Sequence, residues 1–350
     1  MQNKNLIQSF VKMSQYVGAR EDLIQAGGGN TAVKLDDCNM AIKASGYQLS
    51  ELKEDNGYAI VNYKTIRDAF LEIDDFDLLT EEKTKEILAK AFLEGKRPSI
   101  ETFLHSIVGK FSLHTHPILV NALTCRSNGE KILCELFDKP LIVPYATPGA
   151  ELAKAYFKAY KIYKDKYHQE PIYIFLMNHG LIVSGETAED AISLTENVTQ
   201  TIEKYLGVDF SEYRVKHELE RLYDSGIIWK VTDSNVLEGK KQLGTVWRHF
   251  FCPDAVVFLG KSMYDVKTTQ IDESDFKEFV RENGFPVVIC YKGSMYIHAD
   301  NVKKALEIQS VLSFCAQVLM LNRDEEVVLL SEEEKNFLLN WEVEKYRKNM

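Results

Sequence analysis

With 350 residues, of which 45% are hydrophobic and 27% charged, the chain has the composition of an ordinary globular protein and the length of two domains. Its formal net charge of −10 argues against nucleic acid as a partner, because phosphate backbones are bound by basic faces. We expect a cytoplasmic protein with reduced thiols, because no run of about 18 apolar residues predicts a membrane span, no signal-peptide core follows the N-terminus, and the six cysteines form no C-x-x-C pair.

The first predicted elements are a helix and a strand joined by a glycine-rich turn. Apolar positions recur at helical spacing over residues 4–25, and residues 32–35 resemble a strand. Between them, three glycines precede Asn30. Such glycines let backbone N–H groups face an anion, although the segment matches neither a P-loop nor G-x-G-x-x-G. A plain helix-to-strand turn is the alternative interpretation.

The next predicted strand ends in groups of the kinds that bind phosphate in other proteins. Residues 36–39 predict a hairpin turn, and a strand over residues 40–46 follows. Lys43, Ser45 and Gly46 bring an ammonium, a hydroxyl and an unhindered backbone N–H to one place. An exposed turn is the alternative. Residues 58–63 predict a further strand.

A helix start is predicted at Pro98 and Ser99. Proline is favoured at the first helical position, and the serine hydroxyl can cap the helix. Glu101 then falls in the first helical turn, where the helix N-terminus attracts anions. His105 shares the face of Glu101, and we expect it to pack or to support the site rather than to bind an ion.

Histidines with metal-ligand spacing follow on the next strand. His114 and His116 are two residues apart, so a β-strand places both on one face, and Pro117 then closes the strand. The apolar run of residues 172–177 predicts a buried strand that delivers His179 as a third ligand. Three protein ligands and an open position are typical of catalytic zinc. The alternative is a pair of strand histidines bonded to backbone.

These motifs together resemble a known family. In chain order they are Asn30 after the glycines, Ser45-Gly46, Ser99-Ile100-Glu101, His114-Thr115-His116-Pro117 and Asn178-His179-Gly180. The order resembles the class II aldolase/adducin family, which includes fuculose-1-phosphate and rhamnulose-1-phosphate aldolases and ribulose-5-phosphate 4-epimerase. The chain looks most like the long aldolase form, without the dehydrogenase half that some of those proteins carry.

The resemblance implies roles for individual residues. His114, His116 and His179 match the zinc-binding histidines, and Glu101 matches the general acid/base, which in the resting site also binds the metal. The residues that match the substrate-phosphate site are Gly29, Asn30, Ser45, Gly46, Ser99 and the backbone of Ile100. Lys43 stands where the short aldolases usually have a neutral residue, and we expect it to add charge to the anion site.

One departure from the family concerns the proton donor for the aldehyde. Fuculose-phosphate aldolases carry a tyrosine after the H-x-H motif that is donated across a subunit interface. Residues 118–142 of this chain contain no tyrosine. Tyr145, a C-terminal tyrosine or water remain as candidates.

The C-terminal part holds no ligand-like constellation. An amphipathic helix over residues 186–206 closes the first domain, so we expect domains at 1–208 and 209–350. Strands are predicted over residues 255–259 and 286–291, the second in a hairpin with 294–298. Helices are predicted over 301–321 and 332–346. His249 and His298 are interpreted as core or surface histidines.

We therefore expect a three-layer αβα domain with a mixed central sheet, followed by a smaller α/β domain. The resemblance implies a zinc-dependent aldolase that reversibly cleaves a ketose 1-phosphate to dihydroxyacetone phosphate and an aldehyde through a metal-stabilised enediolate. An epimerase, dehydratase or decarboxylase acting on a sugar phosphate or sugar acid at the same zinc site is the alternative, and a non-catalytic adducin-like module is a third. Family members are commonly tetramers, so a homo-oligomer is expected, either a tetramer or a dimer.

Overall fold

The structure is a computed structural model that describes residues 2–73, 75–243, 250–268 and 271–340. The chain divides into two units, Met1–Tyr213 and Arg214–Met350, here called unit 1 and unit 2. The domain boundary expected after residue 208 stays a prediction. His249 and the last part of the predicted C-terminal helix lie outside the described residues.

Unit 1 is built on a mixed eight-stranded sheet. Its strands are β1 Asn30–Lys34, β2 Asn39–Lys43, β3 Tyr58–Asn62, β4 Phe92–Gly95, β5 Phe111–Thr115, β6 Leu141–Val143, β7 Tyr173–Leu176 and β8 Gly180–Gly185. They lie in the order β4-β3-β2-β1-β5-β8-β7-β6. Neighbouring strands are antiparallel except for β6 and β7. The middle of the sheet therefore joins β1, β5 and β8 side by side.

Helices cover both faces of this sheet. They are α1 Gln2–Gly18, α2 Tyr63–Leu71, α3 Glu81–Ala91, α4 Thr102–Ser106, α5 Ile118–Thr124, α6 Gly129–Leu136, α7 Ala150–Tyr167 and α8 Ala188–Leu206. Successive strand residues point to opposite faces: Ile42 packs in the core under α2, α3, α4 and α7, whereas Ala41 packs in the core under α1, α5, α6 and α8. The predicted three-layer αβα architecture is confirmed.

Helix α1 is shorter than its apolar pattern predicts. It ends at Gly18, whereas the helical spacing of apolar residues runs on to residue 25. A Cβ atom at Gly18 would lie 2.4 Å from the backbone nitrogen of Ser50, so the helix end packs closely on a neighbouring turn. Beyond it, the side chain of Arg20 turns back onto Asp22, and the chain leaves the helix there.

Unit 2 has its own, smaller α/β fold. Its strands are β9 Ile227–Lys230, β10 Tyr264–Asp265, β11 Val288–Tyr291 and β12 Ser294–Ala299, in the order β10-β11-β12-β9. Helix α9 Ser211–Glu220 begins in the last three residues of unit 1 and continues into unit 2. The further helices of unit 2 are α10 Ser234–Leu243, α11 Pro253–Leu259, α12 Glu273–Asn283, α13 Val302–Leu321 and α14 Glu332–Asn340. The predicted hairpin is confirmed, since Tyr291 pairs with Ser294 across Lys292 and Gly293.

The strand predicted over residues 255–259 is wrong, because these residues lie in α11. Pro253 occupies the start of the helix, where its missing N–H costs nothing. Ala255, Val256 and Leu259 then fall on one helical face and are buried. A short apolar run has no period that separates a strand from a buried helix, and here the proline is the deciding signal.

One helix within the described residues, α13, is long and apolar enough to cross a membrane by length and composition alone, with a mean hydropathy of 1.3 over the best window. In the structure, 39% of that window is buried. Ala305, Ile308 and Leu312 belong to the core of unit 2. Core helices of globular proteins meet the same criterion, so the feature carries little weight.

Candidate functional site

The H-x-H motif lies at the end of β5. His114 is the fourth residue of the strand, and His116 is the first residue beyond it, immediately before Pro117 and α5. His114 is fully buried, and its Nδ1 lies 3.1 Å from the carbonyl oxygen of Leu181. A hydrogen bond to a carbonyl places the ring proton on Nδ1 and leaves a lone pair on Nε2. The Nε2 atoms of His114 and His116 are 3.2 Å apart, so both face one point.

His179 reaches the same point from the turn between β7 and β8. Because β8 pairs with both β7 and β5, this turn lies beside the end of β5. The ligand nitrogens of His114, His116 and His179 lie within 4.8 Å of one another. Gly180 allows this approach, because a Cβ atom there would lie 2.3 Å from the carbonyl oxygen of Thr115. We call these three histidines the triad.

Glu101 stands beside the triad. Its Oε2 lies 3.7 Å from Nε2 of His114, and its Oε1 lies 3.5 Å from Nε2 of His179. Burial raises the pKa of the Glu101 carboxyl, and the charge of Lys43 opposes that shift. The carboxylate therefore reaches two members of the triad from a largely desolvated position.

The helix that carries Glu101 starts later than predicted. Helix α4 begins at Thr102, and Glu101 is its N-cap residue rather than part of its first turn. The carbonyl oxygen of Ser99 accepts hydrogen bonds from the backbone N–H and the hydroxyl of Thr102, at 3.2 Å and 2.6 Å. The Ser99 hydroxyl accepts the N–H of Glu101 at 3.3 Å. The hydrogen bonds of Ser99 therefore form a turn before the helix rather than the first turn of the helix itself. This turn directs the Glu101 side chain towards the triad.

The triad histidines are held neutral by their surroundings. Burial lowers the pKa of His114 well below its usual value, and the neighbouring histidines add to the shift. Burial also lowers the pKa of His116 to about 4, with further effects of His179 and Lys43, and it lowers the pKa of His179. A metal ligand must present an unprotonated nitrogen, and these imidazoles meet that requirement.

The donor set fits a divalent metal ion. Two nitrogens that each lie about 2.0–2.1 Å from one tetrahedral ion are roughly 3.3–3.4 Å apart, and the Nε2 atoms of His114 and His116 are separated by 3.2 Å. Three imidazoles with an adjacent carboxylate leave room for a ligand, as in catalytic zinc sites. The described residues offer this one cluster of potential metal ligands.

Asn30 opens β1 directly opposite His114 in the β1–β5 ladder, so both side chains occupy one face. Its Oδ1 accepts the N–H of Thr31 at 2.9 Å. Its Nδ2 is buried, and among the described residues it has no hydrogen-bond partner. A buried donor without an acceptor is costly, so this amide indicates a ligand with an oxygen atom next to the triad.

The glycine turn before β1 packs against the triad. A Cβ atom at Gly28 would lie 2.8 Å from Nδ1 of His116, and one at Gly29 would lie 2.8 Å from the carbonyl oxygen of His114. Gly29 also has a positive φ of 71°, a conformation that favours glycine. Close backbone approach to the metal ligands thus explains two of the three glycines.

Lys43 lies against the same turn. Its side chain is buried, and its Nζ donates to the carbonyl oxygens of Gly27 and Gly29 at 3.2 Å and 3.4 Å. Burial lowers the pKa of the Lys43 ammonium, and the charge of Glu101 opposes the shift. The sequence predicts Lys43 in an anion site, and in the structure its ammonium binds the glycine turn while its pKa responds to the charge of Glu101.

The two remaining predicted anion-binding segments lie side by side. The N–H of Ser45 donates to the carbonyl oxygen of Arg97 at 2.9 Å, which sets Ser45 and Gly46 beside the segment that leads to Ser99 and Ile100. Ser45 and Gly46 are exposed, and Gly46 has a positive φ of 84°. The hydroxyl of Ser45 and the N–H of Gly46 are the groups of this pair that face a possible ligand, and the role of both residues in phosphate binding stays a prediction.

Sequence reasoning missed the ion cluster beneath the site. Arg20 is almost fully buried and forms two 2.7 Å bonds to the carboxylate of Asp22 and one of 2.7 Å to Glu196. Leu23, which follows Asp22 in the chain, accepts the N–H of His116 at 2.9 Å through its carbonyl oxygen. An arginine two residues from an aspartate was the available signal, but Glu196 is 176 positions away.

His105 supports β5 from below rather than joining the triad. It is fully buried, and its Nδ1 lies 2.7 Å from the hydroxyl of Ser112. Ser112 and His114 are two residues apart on β5 and share a face. His105 therefore helps to position the strand that carries the first metal ligand.

The chain matches the model of a known protein family. Residues 8–206 match the family model described as Class II Aldolase and Adducin N-terminal domain. The chain belongs to the class II aldolase and adducin family. Members of this family are mostly lyases, they typically bind a divalent metal, and they act on sugar phosphates.

This chain of the class II aldolase and adducin family is similar to one curated protein sequence and to several solved structures. The uncharacterized oxidoreductase YuxG of Bacillus subtilis (strain 168) is 27% identical over 221 residues, which are 60% of this chain and 31% of that protein. The chain thus spans about a third of the length of this curated relative. The N-terminal class II aldolase domain of a conserved protein from Thermoplasma acidophilum is 26% identical, with a TM-score of 0.49, over 57% of this chain and 93% of that one. An L-fuculose 1-phosphate aldolase is 20% identical, with a TM-score of 0.41, over 62% and 96%.

Proposed function

We propose that the chain is a zinc-dependent class II aldolase that reversibly cleaves a ketose 1-phosphate into dihydroxyacetone phosphate and an aldehyde. The observation that carries the proposal is the triad, whose ligand nitrogens lie within 4.8 Å of one another, with the Glu101 carboxylate 3.5–3.7 Å from two of them. A zinc ion bound there supplies a Lewis acid for a carbonyl oxygen.

The chain's own residues supply the proton transfer. Glu101 moves the proton at the carbon next to the carbonyl, and its burial brings the carboxyl pKa upward, closer to the working pH of a general acid/base. In the cleavage direction the protonated Glu101 carboxyl would give its proton to the carbon next to the carbonyl once the carbon–carbon bond has broken, and in the reverse direction the carboxylate would take that proton from dihydroxyacetone phosphate. Tyr145, a candidate for protonation at the aldehyde end, is exposed.

Binding of the phosphate falls to the glycine turn and its neighbours. The unpartnered Nδ2 of Asn30 provides a donor beside the triad, and Ser45, Gly46 and Ser99 lie on two adjoining segments. Fixing the phosphate aligns the reacting carbons, which lowers the entropic part of the barrier. We further propose that the active form is a cytoplasmic homo-oligomer, a dimer or tetramer, which light scattering of the purified protein tests.

The test is a search for cleavage products. Purified protein loaded with zinc is incubated with a panel of ketose 1-phosphates, and released dihydroxyacetone phosphate is measured by a coupled reduction. We expect cleavage of at least one sugar phosphate. Glu101→Gln should lower the rate by about 10²–10⁴-fold, since it removes the acid/base group, while zinc stays bound.

The matched control is His116→Ala. It should lose zinc and activity together while its circular dichroism spectrum stays that of the parent. Products with an unchanged number of carbon atoms would reject cleavage in favour of epimerisation or dehydration. A correctly folded parent protein that binds no zinc would reject catalysis at the triad and favour an interaction module.

A further inference from the structure

Lys43 connects the two halves of the candidate site. Its ammonium donates to the carbonyl oxygens of Gly27 and Gly29, at 3.2 Å and 3.4 Å. In addition, its charge lowers the pKa of the Glu101 carboxyl and of the His116 imidazole. The same residue therefore contacts the turn that faces the anion and influences the groups that face the metal.

The ammonium keeps bonding capacity for a ligand. A lysine has three N–H donors, and among the described residues Lys43 finds two acceptors, both carbonyl oxygens of the glycine turn. Neither acceptor is a carboxylate, and within the described residues Lys43 forms no ion pair at hydrogen-bonding distance. A buried cation whose acceptors are neutral carbonyls is stabilised by an anion nearby.

A lysine charge beside the triad also opposes a divalent cation. Like charges repel more strongly where burial removes water, and Lys43 is only 4% exposed. An anion bound at the glycine turn reduces this repulsion, because its negative charge partly neutralises the charge of the Lys43 ammonium. The turn also touches a metal ligand directly, since Gly28 packs on Nδ1 of His116.

We propose that Lys43 is a positioning residue that couples anion binding to metal binding: an anion at the glycine turn strengthens divalent-metal binding at the triad. Linkage requires the reverse as well, so the metal strengthens anion binding by the same factor. The inference rests on the proposed metal site and deepens it. It means that the site is completed only when substrate phosphate and metal are both present.

The experiment measures zinc affinity with and without inorganic phosphate. The dissociation constant for zinc is obtained by competition with a chromogenic chelator, at constant ionic strength, for the full chain. We expect phosphate to tighten zinc binding by about 5-fold or more, within the usual range of coupling between sites. In Lys43→Gln, which keeps an N–H donor for the turn without the charge, we expect less than about a 2-fold effect.

The matched control is Lys34→Gln, which changes another lysine of the same sheet. Lys34 is the last residue of β1, at the opposite end of the strand from Asn30 and the triad. The Nζ of Lys34 donates to the carbonyl oxygen of Val108. This variant should keep the full effect of phosphate. Lys43→Met serves as a second uncharged variant if Lys43→Gln fails to fold, and it should lose the effect in the same way.

The outcomes separate this inference from the proposed function. If the parent protein binds zinc and phosphate independently, or if both Lys43 variants keep the full phosphate effect, the coupling role of Lys43 is wrong and the metal site stands. If the folded parent protein binds no zinc at any phosphate concentration, the proposed metal site is wrong and the coupling with it.

Discussion

At the scale of single residues, buried hydrogen bonds decide what each site histidine can offer. The spacing of His114 and His116 predicts that they share a face, and they do. Which nitrogen of His114 carries the proton depends on the carbonyl oxygen of Leu181, 67 positions away. No local pattern encodes that partner, because β8 supplies it only when the sheet forms.

The buried ion cluster beneath the site yields a prediction about stability. The side chains of Arg20 and Asp22 are 1% and 3% exposed. Arg20→Met leaves the carboxylates of Asp22 and Glu196 without their cation, and breaking a buried pair in this way costs about 3–5 kcal/mol. The free energy of unfolding is measured by urea denaturation monitored by circular dichroism.

The control for this prediction is Arg67→Met in the same unit. Arg67 pairs with Asp68 at 3.1 Å, but the two side chains are 35% and 41% exposed. Exposed pairs contribute little, so we expect a loss below about 1 kcal/mol. Equal losses of unfolding free energy in the two variants would show that the buried cluster has no special role in holding Leu23, whose carbonyl oxygen accepts the N–H of His116.

At the scale of elements, the strands of unit 1 were predicted more accurately than the ends of its helices. The strands around residues 32, 42, 60 and 174 carry alternating or continuous apolar residues, and the structure has strands there. Helix α4 and the end of α1 differ from prediction, because turns at Ser99 and Arg20 take up backbone groups that a helix would use. Helix α11 was mistaken for a strand, since seven residues are too few to show a helical period.

The glycine turn provides a prediction at this scale. Gly28→Ala inserts a methyl group that would lie 2.8 Å from Nδ1 of His116. The turn or the imidazole must shift, so we expect zinc affinity to fall by about 10-fold or more, equivalent to about 1.4 kcal/mol. Chelator competition measures the change.

Gly27→Ala is a closely matched control, since it adds the same methyl group one residue earlier. A Cβ atom at Gly27 would meet no atom of the described residues within 4 Å. Zinc affinity should therefore stay within about 2-fold of the parent value, because no contact with the triad changes. An equal effect of the two substitutions would mean that the turn acts through its flexibility and not through contact with His116.

At the scale of the whole molecule, every residue predicted to bind the metal or the phosphate lies in unit 1. The triad, Glu101, Asn30 and Lys43 fall between residues 30 and 179, whereas unit 2 has a separate four-stranded sheet and cores of its own. Within the described part of unit 2 there is no group of metal-ligating side chains. Metal binding is thus expected to be a property of unit 1.

A fragment of residues 1–210, which ends before α9, tests this expectation. It contains the whole eight-stranded sheet with its helices, so we expect cooperative thermal unfolding and one zinc ion per chain, with an affinity within about 3-fold of that of the full chain. Melting curves and metal analysis provide the measurements. A folded fragment that binds no zinc would show that unit 2 is needed to complete the site.

The sequence by itself determined the identity of the candidate ligands, the strands that carry them and the αβα layering, because strand periodicity and glycine placement are local properties of the chain. The tertiary structure decided the rest: the convergence of His179 with His114 and His116, the approach of Gly28 to His116, and the contact of Lys43 with the glycine turn. These relations join residues that are distant in sequence, and the pairing of β2, β1, β5 and β8 brings them together.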